Sequence, residues 1–126
     1  MAPMEIDLSF AGTRVFIVED EALILDTLQD MLEDLGCEVV ESATRVGEAL
    51  TKAPALAFDV AVLDVNVAGE RVDPVADLLA NRGVPFLFAT GYGRSSLAAA
   101  HRERTVLAKP YRKSDLELAL AAVLSR

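Results

Sequence analysis

The sequence predicts an α/β fold in three layers, a doubly wound parallel sheet with helices on both faces. From residue 14 onward, five strand-like segments alternate with helix-like segments, and the connections are short. Four of the strand-like runs are uninterrupted and apolar, as strands buried on both faces should be. Each of these runs ends in a polar residue, and the carboxyl ends of parallel strands form the edge where such folds bind ligands. The length of 126 residues suits one domain.

The first strand and helix have the clearest pattern. Residues 15–18 are an apolar strand, and residues 21–35 repeat leucine and methionine on one face at helical spacing. Asp20 is the predicted N-cap of this helix, and Gly36 is its C-terminal stop.

The middle of the chain repeats this unit twice. Residues 38–41 form a short second strand, followed by a weaker helix over 44–50, capped by its first residue. Residues 60–63 form the third strand. Asp73 then opens the third helix as N-cap, with Pro74 at the first helical position.

The end of the chain contains the last two units. Residues 85–89 form the fourth strand, whereas the following segment, 91–104, is ambiguous and is predicted to contain only a short, loosely held helix. Residues 105–108 form the fifth strand. The pattern Ser114-x-x-Glu117 is a capping box and predicts the start of the final helix.

Composition excludes several classes of function. The net charge of −8, from 20 acidic and 12 basic residues, argues against a nucleic-acid partner. No apolar run approaches the roughly 20 residues of a membrane span, and the lone Cys37 cannot form an internal disulfide. We therefore expect a cytoplasmic protein with an N-terminal extension over residues 1–12 and one domain over 13–126. The one histidine, His101, is predicted to lie on the surface.

Three carboxylates follow the first and third strands: Glu19, Asp20 and Asp64. Acids packed together cannot all stay ionised without a compensating positive charge. Mg²⁺ provides that charge, and its preferred ligands are carboxylates, a carbonyl and waters; the backbone carbonyl of Asn66 is well placed to take part. For each acid alone, helix capping or a solvated loop is the ordinary interpretation. Their joint placement at strand ends favours a metal site.

A hydroxyl and an ammonium group follow the fourth and fifth strands. Thr90 ends the fourth strand, and Gly91 beside it leaves space for a phosphoryl group. Lys109 ends the fifth, where Pro110 constrains the turn and a cis bond is an option. The ordinary alternatives are a strand-ending threonine and a solvated lysine. Together these groups suit phosphoryl transfer, with Asp64 as the nucleophile that forms an acyl phosphate.

In order and spacing, these residues resemble the receiver domain of two-component response regulators. The resemblance covers residues 13–126 and rests on the strand-end residues Glu19-Asp20, Asp64, Thr90 and Lys109-Pro110. It implies the flavodoxin-like (βα)5 receiver fold with strand order 2-1-3-4-5. It also implies Mg²⁺ at Glu19, Asp20 and Asp64, and phosphorylation of Asp64 by a histidine kinase.

A narrower resemblance lies in residues 85–92, PFLFATGY. This stretch is similar to the FAT GUY group of single-domain response regulators, and residues 63–70 fit the same group. The resemblance implies a kinase of the HWE or related classes and a role in the general stress response. Signalling through protein contacts and service as a phosphate sink both remain open.

The chain departs from ordinary receivers at Val106, three residues before Lys109, where the family has an aromatic residue. The usual coupling of threonine to that ring is therefore in question. The nearby aromatic residues are Phe88 and Tyr92, and we predict that Tyr92 moves with the 91–104 segment. A static Tyr92 covering the pocket is the equally weighted alternative.

The second departure is the loop after Asp64, which lacks the proline common in ordinary receivers. In the family, the residues two beyond the aspartate and two beyond the threonine tune phosphate lifetime, and here they are Asn66 and Tyr92. A Mg²⁺-dependent phosphatase with an aspartyl nucleophile is one alternative, but it usually needs an acid where Asn66 stands. A flavin carrier would need a phosphate loop where Glu19 and Asp20 repel phosphate. A receiver that no longer takes phosphate is the remaining alternative.

Overall fold

The computed structural model describes residues 10–124, which contain a five-stranded parallel sheet. Its strands, numbered β1 to β5 in chain order, are Arg14–Val18, Glu38–Ala43, Val60–Asp64, Phe86–Thr90 and Val106–Ala108. They lie in the order β2-β1-β3-β4-β5, and every neighbouring pair is parallel. The predicted fold class and strand order are confirmed.

Four α-helices, in the described part of the chain, cover the sheet. They are α1 (Ala22–Asp34), α2 (Val46–Lys52), α3 (Asp73–Asn81) and α4 (Lys113–Leu124). The cores place α1 and α4 on one face of the sheet and α2 and α3 on the other. None of the helices between residues 10 and 124 has the length and apolar character needed to cross a membrane.

The two cores follow from the alternation of side chains along each strand. Phe16 and Val18 of β1 pack towards α2 and α3, whereas Val15 and Ile17 pack towards α1 and α4. All four are fully buried, and burying each such side chain stabilises the fold by about 1.5–3 kcal/mol. Both faces of β1 are thus apolar, which explains why its sequence shows no polar alternation.

The N-terminal residues are described in part. Residues 1–9 of the predicted extension lie outside the described residues. Phe10 is buried in the core beside α1, and the amide of Gly12 donates to the carbonyl of Gly36. The domain boundary after residue 12 stays a prediction.

The start of α4 differs from its predicted capping box. The helix begins at Lys113, and the amide of Arg112 donates to the carboxylate of Asp115 at 2.9 Å. Ser114 lies inside the helix, so the prediction that it caps the helix is wrong. Similarly, α3 begins at Asp73 itself, after Val72 as N-cap. In both cases an acid near the predicted start lies within the first turn, where it faces the positive end of the helix dipole.

The 91–104 segment, between β4 and β5, contains no α-helix. Two 3-10 turns, Arg94–Ser96 and Ala99–His101, replace the helix that would complete the fourth strand–helix unit. The prediction that His101 lies on the surface is wrong: the residue is only 3% exposed. The segment folds back over β4, and the histidine ring enters the core there.

Candidate functional site

The carboxyl ends of four strands meet at one edge of the sheet and carry the site residues. Asp64 is the last residue of β3, and Thr90 is the last residue of β4. Glu19 follows β1 directly, and Lys109 follows β5. Parallel pairing of these strands brings residues from four distant stretches of the chain to a single cleft.

The cleft contains a cluster of three acids. Glu19, Asp20 and Asp64 each offer a carboxylate oxygen, and these oxygens lie within 4.8 Å of one another. Glu19 is 2% exposed, whereas Asp20 is exposed at the rim. Three hard oxygen donors at this spacing fit a divalent cation such as Mg²⁺.

Glu19 is held in place by two hydrogen-bond donors. One of its oxygens accepts the amide of Glu21 at 3.1 Å, at the start of α1. The other oxygen accepts a hydrogen bond from Nζ of Lys109 at 2.9 Å. The predicted N-cap role of Asp20 is therefore wrong, because the N-cap residue is Glu21 and the nearby carboxylate that binds its amide is that of Glu19.

Lys109 bridges the two less exposed acids of the cluster. Its Nζ lies 2.9 Å from Oε1 of Glu19 and 3.3 Å from Oδ2 of Asp64. Burial lowers the pKa of Lys109, but the hydrogen bond to Glu19 and the charge of Asp64 outweigh it, so the net shift is upward. The lysine therefore stays charged and supplies the positive end of the site.

Asp64 has an unusual protonation equilibrium for an aspartate. Burial and then the negative charge of Glu19 raise its pKa from 3.8 to about 6, although Lys109 acts in the opposite direction. Any additional positive charge in the cleft would stabilise the ionised form of Asp64. The burial of Asp64 beside the charge of Glu19 is the second reason that the site suits a cation.

Thr90 is buried at the end of β4, next to the cleft. Its Oγ1 accepts the amide of Tyr92 at 3.0 Å, and its carbonyl accepts the amide of Lys109 at 2.9 Å. The hydroxyl proton of Thr90 remains available for donation. A Cβ added to Gly91 would meet no atom within 4 Å, so there is open space beside the threonine.

The remaining predicted residues divide between rim and core. Tyr92 is 76% exposed at the rim, and it borders the cleft with Asn66 and Lys109. Phe88 is buried under the 91–104 segment and pairs with Val106 in the sheet register. The peptide bond that precedes Pro110 is cis.

Sequence reasoning missed a hairpin on the loop after Asp64. Residues 66–67 pair antiparallel with residues 70–71. The turn between them has two positive φ angles, 50° at Ala68 and 83° at Gly69, as two-residue hairpins prefer. Gly69 is the one residue of this turn whose type indicates a positive φ angle, whereas an alanine such as Ala68 does not indicate one. The hairpin places Asn66 at the mouth of the cleft.

Comparison with known proteins gives the class to which this fold and site belong. The family described as the response regulator receiver domain matches residues 15–121. The chain belongs to this family, whose members are receiver domains of two-component signalling.

Three individual proteins are similar to this chain over most of its length. The solution structure of SdrG from Sphingomonas melonis Fr1 is 43% identical, with a TM-score of 0.81 over 90% of this chain and 97% of that chain. The transcriptional regulatory protein PdtaR of Mycobacterium tuberculosis is 32% identical over 90% of this chain and 57% of its own length. The phyllosphere-induced regulator PhyR of Methylorubrum extorquens is 31% identical over 90% and 44%. The chain spans about half the length of these two curated relatives.

Proposed function

We propose that this chain accepts a phosphoryl group on Asp64 from a histidine kinase and signals through protein–protein contacts. One observation carries the proposal: the carboxylate of Asp64 lies 3.3 Å from the ammonium of Lys109, inside a cluster of oxygens suited to a divalent cation. A nucleophile, a fixed positive charge and a cation site are what phosphoryl transfer requires of a protein.

The residues that would hold Mg²⁺ are Glu19, Asp20, Asp64 and the backbone carbonyl of Asn66. When bound, the ion would neutralise the acids and draw negative charge from the oxygens of the phosphoryl group. Burial and the negative charge of Glu19 raise the pKa of Asp64, and a cation beside its carboxylate would offset both effects.

In the proposed reaction, an oxygen of Asp64 attacks the phosphorus of a phosphohistidine. The new O–P bond forms as the P–N bond breaks, and its electron pair returns to the imidazole of the kinase. Lys109, already beside Asp64, is placed to donate to one phosphoryl oxygen. Thr90 would donate its hydroxyl proton to another, across the open space beside Gly91.

The alternatives have weaker support from the same residues. A phosphatase with an aspartyl nucleophile needs an acid to protonate the leaving group, and exposed Asn66 occupies that position. A flavin carrier would need donors for phosphate at the end of β1, where Glu19 and Asp20 lie instead. A receiver that no longer takes phosphate is tested directly below.

Likeness to named relatives supports a finer proposal. SdrG has been described in a BeF3-activated conformation, and a PhyR with 27% identity to this chain is described as a stress response regulator. The PFLFATGY stretch supports membership of the FAT GUY group, and the likeness to PhyR supports a role in the general stress response. We propose a kinase of the HWE or related classes as phosphate donor, in the cytoplasm, with either a downstream protein or a phosphate-sink role as output.

The decisive experiment is incubation of the purified protein with acetyl phosphate and Mg²⁺, followed by intact-protein mass spectrometry. We expect the mass of one phosphoryl group to be added, and the addition to disappear in Asp64→Asn. Asp26→Asn is the matched control, because Asp26 is an exposed acid on α1 outside the cluster. Continuous turnover of phosphate esters would favour the phosphatase, and an unmodified wild-type protein would favour the receiver that no longer takes phosphate.

A further inference from the structure

The 91–104 segment is attached to the rest of the domain at few points. Most of its side chains are exposed, and within it Leu97 and His101 are the buried ones. Its two 3-10 turns provide poorer backbone hydrogen bonding than an α-helix would. Its position therefore depends on individual side-chain contacts, which can be examined one at a time.

His101 makes the most buried of these contacts. Its ring lies 5.8 Å from the ring of Phe86 and 5.9 Å from that of Phe88, between centroids. Its Nε2 lies 2.8 Å from Oδ1 of Asp77 on α3. Because an ionised carboxylate only accepts hydrogen bonds, Nε2 carries the proton in this pair. Asp77 itself remains 63% exposed.

The other ring nitrogen of His101 is unsatisfied. Nδ1 is buried, and no atom of residues 10–124 forms a hydrogen bond with it. A buried polar atom without a partner disfavours the state that buries it. Opening of the segment would expose both nitrogens to water, so the hydrogen bonding of the His101 ring favours the closed position at Nε2 and disfavours it at Nδ1.

A second contact ties the segment to the hairpin. Arg71 donates to the carbonyl of Ser96 at 2.9 Å, and its guanidinium also binds both carboxylate oxygens of Asp73. Asp73 and Asp77 are four residues apart on α3, so they lie on one side of that helix. Each of these carboxylates thus binds a residue that holds the segment.

The beginning of the segment is tied to the site itself. The amide of Tyr92 donates to Oγ1 of Thr90, the hydroxyl that would turn towards a phosphoryl group. Reorientation of this hydroxyl would remove the tie at one end of the segment and leave those at Ser96 and His101.

We propose that the contact between His101 and Asp77 is a latch, which holds the 91–104 segment closed over β4 and sets how readily it opens. The role of phosphorylation as the trigger rests on the proposed function. The latch itself is a property of the protein without phosphate, so the two can be tested separately.

The test is hydrogen–deuterium exchange of residues 97–104 without Mg²⁺ or a phosphodonor. We expect Asp77→Ala to accelerate exchange there roughly three- to tenfold, with the sheet unchanged. Asp77→Asn keeps an acceptor oxygen, so its exchange rate at these residues should be closer to that of the wild type. Asp26→Ala controls for the loss of an exposed helical acid.

Asp77→Ala made in the His101→Phe variant isolates the hydrogen bond between His101 and Asp77. His101→Phe keeps a ring against Phe86 and Phe88 but cannot bond to residue 77, so adding Asp77→Ala to it should change nothing further. Equal acceleration in both backgrounds, or no acceleration by Asp77→Ala in the wild type, would overturn the latch. If His101→Phe fails to fold, the difference between Asp77→Asn and Asp77→Ala decides.

A final comparison adds beryllium fluoride and Mg²⁺. If both proposals hold, beryllium fluoride accelerates hydrogen exchange in the wild-type segment. The difference in exchange rate between the wild type and Asp77→Ala then becomes smaller. A segment that is insensitive to beryllium fluoride but accelerated by Asp77→Ala would support the latch and contradict phosphorylation as its trigger.

Discussion

The strand-end site and the 91–104 segment lie side by side, but they are held in different ways. Asp64 and Thr90 belong to strands in the middle of the sheet, and the amide of Lys109 bonds to the carbonyl of Thr90. The segment is held by side-chain contacts of Arg71, His101 and Arg104 and by the burial of Leu97. Regions with few buried contacts open most easily. The proposed phosphoryl-acceptor site thus lies in the more firmly held part of the domain, and the proposed latch lies in the less firmly held part.

The largest expected effect comes from removing the charge at the centre of the site. Lys109→Met leaves the buried carboxylate of Glu19 without its ammonium partner, and we expect a loss of about 3 kcal/mol in the free energy of unfolding. Urea denaturation without Mg²⁺ measures this loss.

Lys52→Met is the matched control, because Lys52 also lies between two glutamates, Glu41 and Glu48, but in a more exposed position. Lys52→Met should lower the free energy of unfolding by less than about 1 kcal/mol. Similar losses for the two lysines would contradict the contrast between the enclosed site and the surface.

Mg²⁺ should raise the free energy of unfolding of the wild-type protein by nearly as much as Lys109→Met lowers it. A cation that binds only the folded acidic cluster adds about 2.7 kcal/mol when its concentration is a hundred times its dissociation constant. Thermal melts with increasing Mg²⁺ measure the effect. Asp20→Asn should weaken the response and Asp26→Asn should not; equal responses would place the cation elsewhere.

The raised pKa of Asp64 predicts a pH dependence without metal. Because the pKa in the folded state is about 6 and the ordinary value is 3.8, the folded state binds this proton more tightly. The associated stability is present below the ordinary value and is lost as pH rises to about 6. Asp64→Asn should therefore stabilise the metal-free protein at pH 7, by roughly 1 kcal/mol after allowance for solvent screening.

The measurement is urea denaturation of both proteins at pH 4 and pH 7. The advantage of Asp64→Asn should disappear at pH 4, where the wild-type carboxyl is protonated in the folded state. An advantage of equal size at both pH values would exclude the electrostatic cause.

The smallest effect concerns the segment. Arg71→Gln removes the tie to Ser96, and we expect faster hydrogen exchange at residues 94–97 with less than about 0.5 kcal/mol change in global stability. Arg45→Gln, at an exposed position before α2, is the control. A global loss of stability would show that the segment and the sheet unfold together.

The same contrast explains what could be predicted from sequence. Asp64 and Lys109 follow apolar runs, and the rule that parallel strand ends share an edge brings such residues together without further information. The strand order came from the family resemblance, since short crossovers alone leave several topologies.

The failed prediction for His101 depends on contacts between distant elements. His101 is buried because the segment folds back onto Phe86 and Phe88 and meets Asp77 on α3. No local pattern encodes that arrangement, although Leu97 and His101 stand four residues apart, a spacing that can mark one buried face. The hairpin after Asp64 was missed because Ala68 adopts a backbone conformation that its residue type does not indicate.

The enclosure of Glu19 has a consequence for solution conditions. Dissolved ions weaken an interaction between charges only where they can approach it. The pair of Glu19 and Lys109 lies largely beyond their reach, whereas Asp20 at the rim does not. Raising the ionic strength should therefore reduce the attraction of the rim for cations and leave the pair beneath it almost unchanged, so that the domain keeps its pocket in shape across media of very different salinity.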